Sequence, residues 1–278
     1  MLSIIIPANN EEGYIDACLS SLAVQEGDNL DRVEIIVAAN ACRDATVAQA
    51  RSRAPAFEAR GWTLTVLDIA EGGKPNALNE GDRAASGGMR LYLDADIVCS
   101  AAVVSEIVAA LDRPGPVYAG GMLEVAPARS WITRHYARLW TNLPFMRQSG
   151  TTGAGLFAVN AAGRARWGPF PRIISDDTYV RLLFRPCERT TVPASYLWPM
   201  VEGFSALVRV RRRQDDGLRE IAAQWPGMFA NEGKPALGAG DHLALFMRQP
   251  VSYIVYTGVA LAVRFGRGGA QQGWARGR

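Results

Sequence analysis

Four apolar runs, each ending in a polar loop and separated from the next by a stretch of helical periodicity, constrain the fold of this chain more than any other feature. Residues 2–6 (LSIII) leave through Pro7-Ala8-Asn9-Asn10-Glu11-Glu12-Gly13, and Val33 to Ala38 ends in Asn40-Ala41-Cys42-Arg43-Asp44. Thr63 to Asp68 runs into Glu71-Gly72-Gly73-Lys74, and the pattern from Arg90 to Val98 closes on Asp94-Ala95-Asp96. Between them, Tyr14 to Val24 places Ile15, Leu19 and Leu22 at helical spacing, Thr46 to Arg53 reads as a second helix, and the Gly73-Lys74 turn opens a third. Strict alternation of this kind predicts an α/β fold with a mainly parallel, doubly wound sheet flanked by helices. The near-continuous apolar character of the first runs agrees, because parallel strands are covered on both faces. In such sheets ligands gather at the carboxyl ends of strands. All four loops there carry residues suited to a nucleotide: Asn9, Asn10 and Glu11; Asn40 and Asp44; Lys74 and Asn79; Asp94 and Asp96.

Asp94 and Asp96 end their strand at positions i and i+2, a spacing that suits a hard divalent cation. Such an ion prefers oxygen ligands, and Mg²⁺ commonly uses one or two protein carboxylates plus the phosphates of its substrate. The same pair also suits the N-terminus of a following helix, where Asp and Ser are preferred caps. Composition narrows the field. At 278 residues, 49% hydrophobic and 21% charged, the chain is long enough to bury a large core and is not disordered. Its net charge of +3 is too small and dispersed to predict nucleic-acid binding, and suits an anionic small substrate or membrane surface. Cys18, Cys42, Cys99 and Cys187 have no metal or disulfide spacing. The chain opens on a strand with no basic region or cleavage site ahead of it, so a cytoplasmic protein is expected. A G-x-G-x-x-G turn is absent after the first strand, which argues against a dehydrogenase, and PANNEEG is not the glycine-rich loop of a nucleotidyltransferase.

Taken together, SIIIPANNEE, VEIIVAANACRDAT, GKPNALNEG and YLDAD resemble, in order and spacing, the motifs of the family 2 glycosyltransferases. These are inverting enzymes of the GT-A fold that use nucleotide-sugar donors. The resemblance implies a GT-A-like domain over residues 1–240, with a nucleotide-binding half (1–100) and an acceptor half (101–240). It implies that Pro7, Ala8, Asn10 and Glu11 line the base and ribose pocket, with Asn40 on the nucleobase and Asp44 nearby. Lys74 would lie near the nucleotide and Asp94 and Ala95 near the ribose or sugar, while Asp96, with Asp94, would hold Mg²⁺ or Mn²⁺. This chain departs from the family in two places: Ala39-Asn40 stands where many members have Asp-Asp, and Ala41 replaces a frequent glycine.

In the second half, Val117 to Val125 reads as a strand and Ser130 to Met146 as a helical segment. Its His135 has no carboxylate partner nearby in sequence and is expected to be structural. The turn Gly153-Ala154-Gly155 resembles the family's acceptor-side glycine stretch. Ile173-Ile174-Ser175-Asp176-Asp177-Thr178-Tyr179 resembles its E-D-x-D segment, which makes Asp177 the general base and puts Asp176 in place of the glutamate. A base is needed because the acceptor hydroxyl must lose its proton as it attacks. Two carboxylates at a helix start also suit capping. Arg209 to Arg213 is the densest positive run, and by resemblance Arg212 and Arg213 would hold the diphosphate, a role guanidinium groups fill well; a solvated basic face is the alternative. Residues 241–278 read as a hydrophobic helical extension, Val251 to Phe265, followed by a flexible Gly-rich tail. The apolar run is short for a transmembrane helix. With Arg264 and Arg267 it suits peripheral attachment to the cytoplasmic face of an anionic membrane. The expected partners are a nucleotide-diphosphate sugar, a hydroxyl acceptor and that membrane surface; a catalytically silent nucleotide-sugar-binding module is the reading from another class.

Overall fold

The computed structural model describes residues 1–148 and 151–265. The expected alternation is present in β1 (Leu2–Ala8), α1 (Ile15–Ala23), β2 (Val33–Asn40), α2 (Thr46–Ser52), α3 (Ala54–Glu58), β3 (Thr63–Ile69), α4 (Lys74–Ala84) and β4 (Met89–Leu93). There follow β5 (Val98–Cys99), α5 (Val103–Leu111), β6 (Tyr118–Val125), α6 (Trp131–Trp140), α7 (Pro144–Gln148), β7 (Leu156–Val159), α8 (Ala161–Arg164), α9 (Asp176–Leu182) and β8 (Arg189–Trp198). The last helices are α10 (Phe204–Gln224), α11 (Ala239–Arg248) and α12 (Pro250–Phe265).

Among the described residues the strands form one mixed sheet in the order β3-β2-β1-β4-β7-β6-β8-β5. The parallel prediction holds for β3-β2-β1-β4, where Leu2 pairs with Val33 and Met89, and Glu34 with Thr63. It fails beyond β4: β7 runs antiparallel to β4 and β6, and β5 antiparallel to β8. The reason is that each parallel neighbour needs its own crossover helix, which only the first half of the sheet has. A second difference lies in the Ser130 to Met146 segment. It breaks after Trp140 because Pro144 has no N–H to continue a helix and instead opens the next one.

The chain divides into two compact units. The first, Met1–Glu124 with Thr151–Trp198, holds the sheet. Side chains alternate across a strand, so in β1 Ile4 and Ile6 enter one core with Leu19, Val37 and Ile107. Ile5 enters the core on the opposite face with Leu78, Tyr92 and Phe157. The second unit, Val125–Gly150 with Pro199–Arg278, packs α6, α10 and α12 around Tyr136, Val201, Leu207, Val208 and Val259. Within this unit Arg211 donates to the hydroxyls of both Tyr136 and Tyr256. His135 meets the buried Ser252 hydroxyl at 3.0 Å, the structural role expected of it. No helix among the described residues is long and apolar enough to cross a membrane. Arg267 and the Gly-rich tail lie outside the described residues.

Candidate active site

The loops at the carboxyl ends of β1, β2 and β3 are tied to one another. Asn40, fully buried, donates from Nδ2 to the Ala8 carbonyl (2.8 Å) and accepts from the Gly73 N–H (2.9 Å). Asn9 donates to the Asn40 carbonyl at 2.6 Å, Asn10 Oδ1 accepts from the Arg43 N–H at 2.7 Å, and Asp44 accepts from the N–H groups of Thr46 and Glu12. Glu11 is buried, its N–H on the Thr46 hydroxyl. Asn40, expected on the nucleobase, has its side-chain amide bonded to backbone on both sides. Asn10 and Asp44 likewise use their side chains to hold the loops, and Ala8 is buried with its carbonyl engaged. Asn10 and Ala41 adopt positive φ, 53° and 48°. That left-handed geometry explains why glycine is frequent at the position of Ala41.

Below these loops a cavity in the first unit is lined by Pro7, Lys74, Asp94, Asp176 and Asp177, with Gly153 and Gly155 at one side. Leu78, Tyr92, Leu93 and Phe157 form its apolar wall. Lys74 opens α4, and its Nζ stands 2.8 Å from Asp94 Oδ1 and 3.3 Å from Asp176 Oδ2. One ammonium thus joins two carboxylates far apart in sequence. Burial works against the Lys74 charge, but Asp176, Asp94 and Asp177 outweigh it and hold the amine protonated well above its ordinary range. Burial pushes the Asp176 carboxyl up, against the pull of Lys74. Asp177 is half-buried, and its Oδ1 accepts from the Thr178 N–H at 2.6 Å.

The glycine turn needs its glycines. Gly153 and Gly155 have φ of 75° and 71°. A Cβ at Gly153 would lie 2.0 Å from the Tyr118 hydroxyl, and one at Gly155 would lie 2.7 Å from Ile97. Ala154 offers its carbonyl to the Tyr196 hydroxyl (2.7 Å), and the Asp94 N–H donates to the Gly155 carbonyl (2.8 Å). The turn is therefore pinned to the strand end that carries the Asp-x-Asp pair.

Ala95 is buried, while Asp96 is half-buried and does not line the cavity. Burial, and then the neighbouring Asp94, raise the Asp96 carboxyl above the usual range. Among the described residues no three His, Cys, Asp or Glu side chains group to hold a metal by themselves. The donor set present is two carboxylates at one strand end, one of them pushed toward neutrality by burial and then by the other. It fits a divalent cation that takes its remaining ligands from phosphate oxygens. In the helical unit, Arg212 donates to the Ala262 carbonyl at 2.7 Å, while Arg213 is half-buried.

Sequence patterns could not single out the apolar wall, since Leu78, Tyr92 and Phe157 look like any other core positions. Nor did they reveal that the Asn79 carboxamide, in the glycine-lysine motif, bonds to the Phe170 backbone.

The model of glycosyl transferase family 2 matches residues 3–165. Among solved structures, the chain is similar to the mannosyltransferase PcManGT from Pyrobaculum calidifontis in complex with GDP-Man and Mn²⁺. That likeness has a TM-score of 0.62 and 20% identity, over 96% of this chain and 76% of that one. S. aureus TarS 1-349 in complex with UDP-GlcNAc matches with a TM-score of 0.55 and 14% identity, over 96% of this chain and 92% of that one. Glucosyl-3-phosphoglycerate synthase from Mycobacterium tuberculosis in complex with UDP matches with a TM-score of 0.50 and 20% identity, over 86% and 82%. At these identities the shared property is the fold. No curated protein matches the sequence.

Proposed function

Since this chain belongs to glycosyl transferase family 2, and is a nucleotide-sugar glycosyltransferase on that ground, we propose that it transfers the sugar by single displacement with inversion, using Asp177 as general base. The observation that carries this reading is the cavity in which Lys74 bridges Asp94 and Asp176 while Asp177 stands beside them. An acceptor hydroxyl in that cavity would attack the anomeric carbon and pass its proton to the Asp177 carboxylate. The bond from that carbon to the diphosphate breaks, and the diphosphate leaves with the electron pair. Asp177 suits the proton transfer better than Asp176, whose carboxylate is buried and already engaged by Lys74. Lys74 keeps a fixed positive charge at the donor side, where a developing negative charge is best stabilised. Gly153 and Gly155, at one side of the cavity, would border the acceptor.

Asp96, with Asp94 beside it, would hold Mg²⁺ or Mn²⁺. Bound there, the ion supplies positive charge against the departing diphosphate. The presence of Mn²⁺ and GDP-Man with the similar mannosyltransferase supports the use of a divalent cation, though not the choice of ligands.

A membrane surface is the proposed place of work. On α11, Leu243, Phe246 and Met247 are exposed, and on α12, Val251, Ile254, Leu261 and Phe265 recur at helical spacing on one exposed stripe. Arg248 and Arg264 close the two helices. Apolar faces with basic ends suit an in-plane position on anionic lipid.

The test is a screen of nucleotide sugars, including GDP-mannose and UDP-N-acetylglucosamine, for turnover by the wild type, Asp177→Asn and Asp176→Asn. Asp177→Asn is expected to bind donor normally and lose about 10²-fold or more in turnover. Asp176→Asn should lose less. The reverse order would make Asp176 the base, and binding with no turnover of any donor would support the silent module instead.

A further inference from the structure

The segment leading into the proposed base is held along its length by one helix. Asn79 on α4 makes two hydrogen bonds to a single residue: its Nδ2 donates to the Phe170 carbonyl (3.1 Å), and its Oδ1 accepts from the Phe170 N–H (2.6 Å). Asp82, one turn further along α4, accepts from Arg164 Nε and Nη2 at 3.1 and 2.9 Å. Lys74, at the start of the same helix, meets Asp176. Three positions of α4, Lys74, Asn79 and Asp82, thus grip Asp176, Phe170 and Arg164, the partners running in the opposite chain direction across more than eighty residues of intervening chain.

Of these grips, Asn79 is the one that acts on backbone. A carboxamide that pairs with both the N–H and the C=O of one residue behaves like a strand partner, fixing the direction of the chain as well as its place. Phe170 is 2% exposed, with its ring edge-on to Tyr92 at 5.2 Å, so the clamp sits on a point that cannot swing. Only residues 171–175 separate it from Asp176. The same helix contributes Lys74 and Leu78 to the cavity.

We propose that Asn79 is a positioning residue: by clamping the Phe170 backbone to α4, it sets Asp176 and Asp177 in register with Lys74 and Asp94. The inference rests on the reading of Asp177 as base. It reassigns Asn79 from nucleotide contact to control of the base, because both ends of its amide are engaged by Phe170.

Asn79→Ala removes both bonds. Its turnover of whichever nucleotide sugar the wild type uses is expected to fall about ten- to a hundredfold in kcat, the cost of a displaced catalytic group. Its Kd for UDP and GDP, measured by calorimetry, should stay within about twofold of wild type, and so should its donor KM. Asn79→Asp keeps the acceptor for the Phe170 N–H and should fall between the two. Glu34→Ala is the stability control, since Glu34 accepts from Ser3, Ser86 and Gly87 at the opposite end of the strands. It should lower the melting temperature and leave kcat unchanged. Amide hydrogen exchange supplies a readout independent of turnover: peptides covering residues 170–182 should lose protection in Asn79→Ala and not in Glu34→Ala. Wild-type kcat in Asn79→Ala, an equal kcat loss in Glu34→Ala, or UDP and GDP binding that falls in step with turnover would each overturn the proposal. Should the wild type turn over no donor, the proposed function fails, and exchange alone decides this inference: unchanged protection at 170–182 refutes it.

Discussion

Replacing Lys74 by methionine removes one charge from a three-carboxylate site while keeping most of the side-chain volume. At an effective dielectric near 20, Coulomb attraction is about 6 kcal/mol over the 2.8 Å to Asp94 and about 5 kcal/mol over the 3.3 Å to Asp176. Desolvation of three charged groups offsets most of that. Breaking a buried pair from one side costs about 3–5 kcal/mol. The Lys74 and Asp94 side chains keep 22% and 34% exposure, against 6% for Asp176, so about 2–4 kcal/mol is the appropriate range here. The pH dependence has a definite sign. Burial already raises the folded-state carboxyl of Asp176 above its unfolded value, and loss of Lys74 raises it further. A group with a raised folded pKa destabilises the fold as pH climbs through that value and not below its unfolded pKa, about 3.9 for Asp. The deficit of Lys74→Met relative to wild type should therefore be small near pH 4 and clearly larger at pH 7.5. Urea unfolding of both proteins at the two pH values measures it, and Asp176→Asn in the Lys74→Met background should recover much of the loss. A deficit at pH 7.5 below about 0.5 kcal/mol, or one that shrinks as pH rises, would refute the bridge as a stabilising element.

Asp96→Ala should abolish the enhancement of UDP or GDP binding by Mn²⁺ while leaving the melting temperature near wild type; undiminished turnover in that variant, or in excess chelator, counts against the cation site. Glu188 is gripped by both terminal nitrogens of Arg166 (2.7 and 2.8 Å) and by the Arg185 N–H (2.7 Å), and its carboxyl is held down to about 2, chiefly by Arg166. Because that folded pKa lies below the unfolded one, the contribution is complete above about pH 4.5 and fades as pH falls toward 2. Glu188→Gln should cost about 1–3 kcal/mol at pH 7 and far less at pH 2.5, and an equal loss at both would be the wrong outcome. The full chain should co-sediment with anionic vesicles and not with neutral ones, and Phe246→Ser with Ile254→Ser should weaken it; indifference to anionic lipid, with dimers in solution, would assign that face to a second copy.

The first half of the fold is legible in the sequence because its determinants are local. Residues 2–6 are buried on both faces, the strands end in loops of asparagine, lysine and aspartate, and alternation with helices implies parallel neighbours. The same local logic places Asp94 at a strand end and Asp176 at a helix start. Partners were not legible. Periodicity reports which face of a strand is buried and not which strand lies beside it, so the antiparallel half of the sheet emerged only in three dimensions. A polar side chain in a loop looks the same in sequence whether it faces a ligand or a neighbouring backbone. Asn40 and Asn79 prove to hold protein, and Lys74 reaches a carboxylate a hundred residues away, because a hydrogen bond depends on distance in space, and only the packed sheet brings those atoms within 3 Å or so of one another.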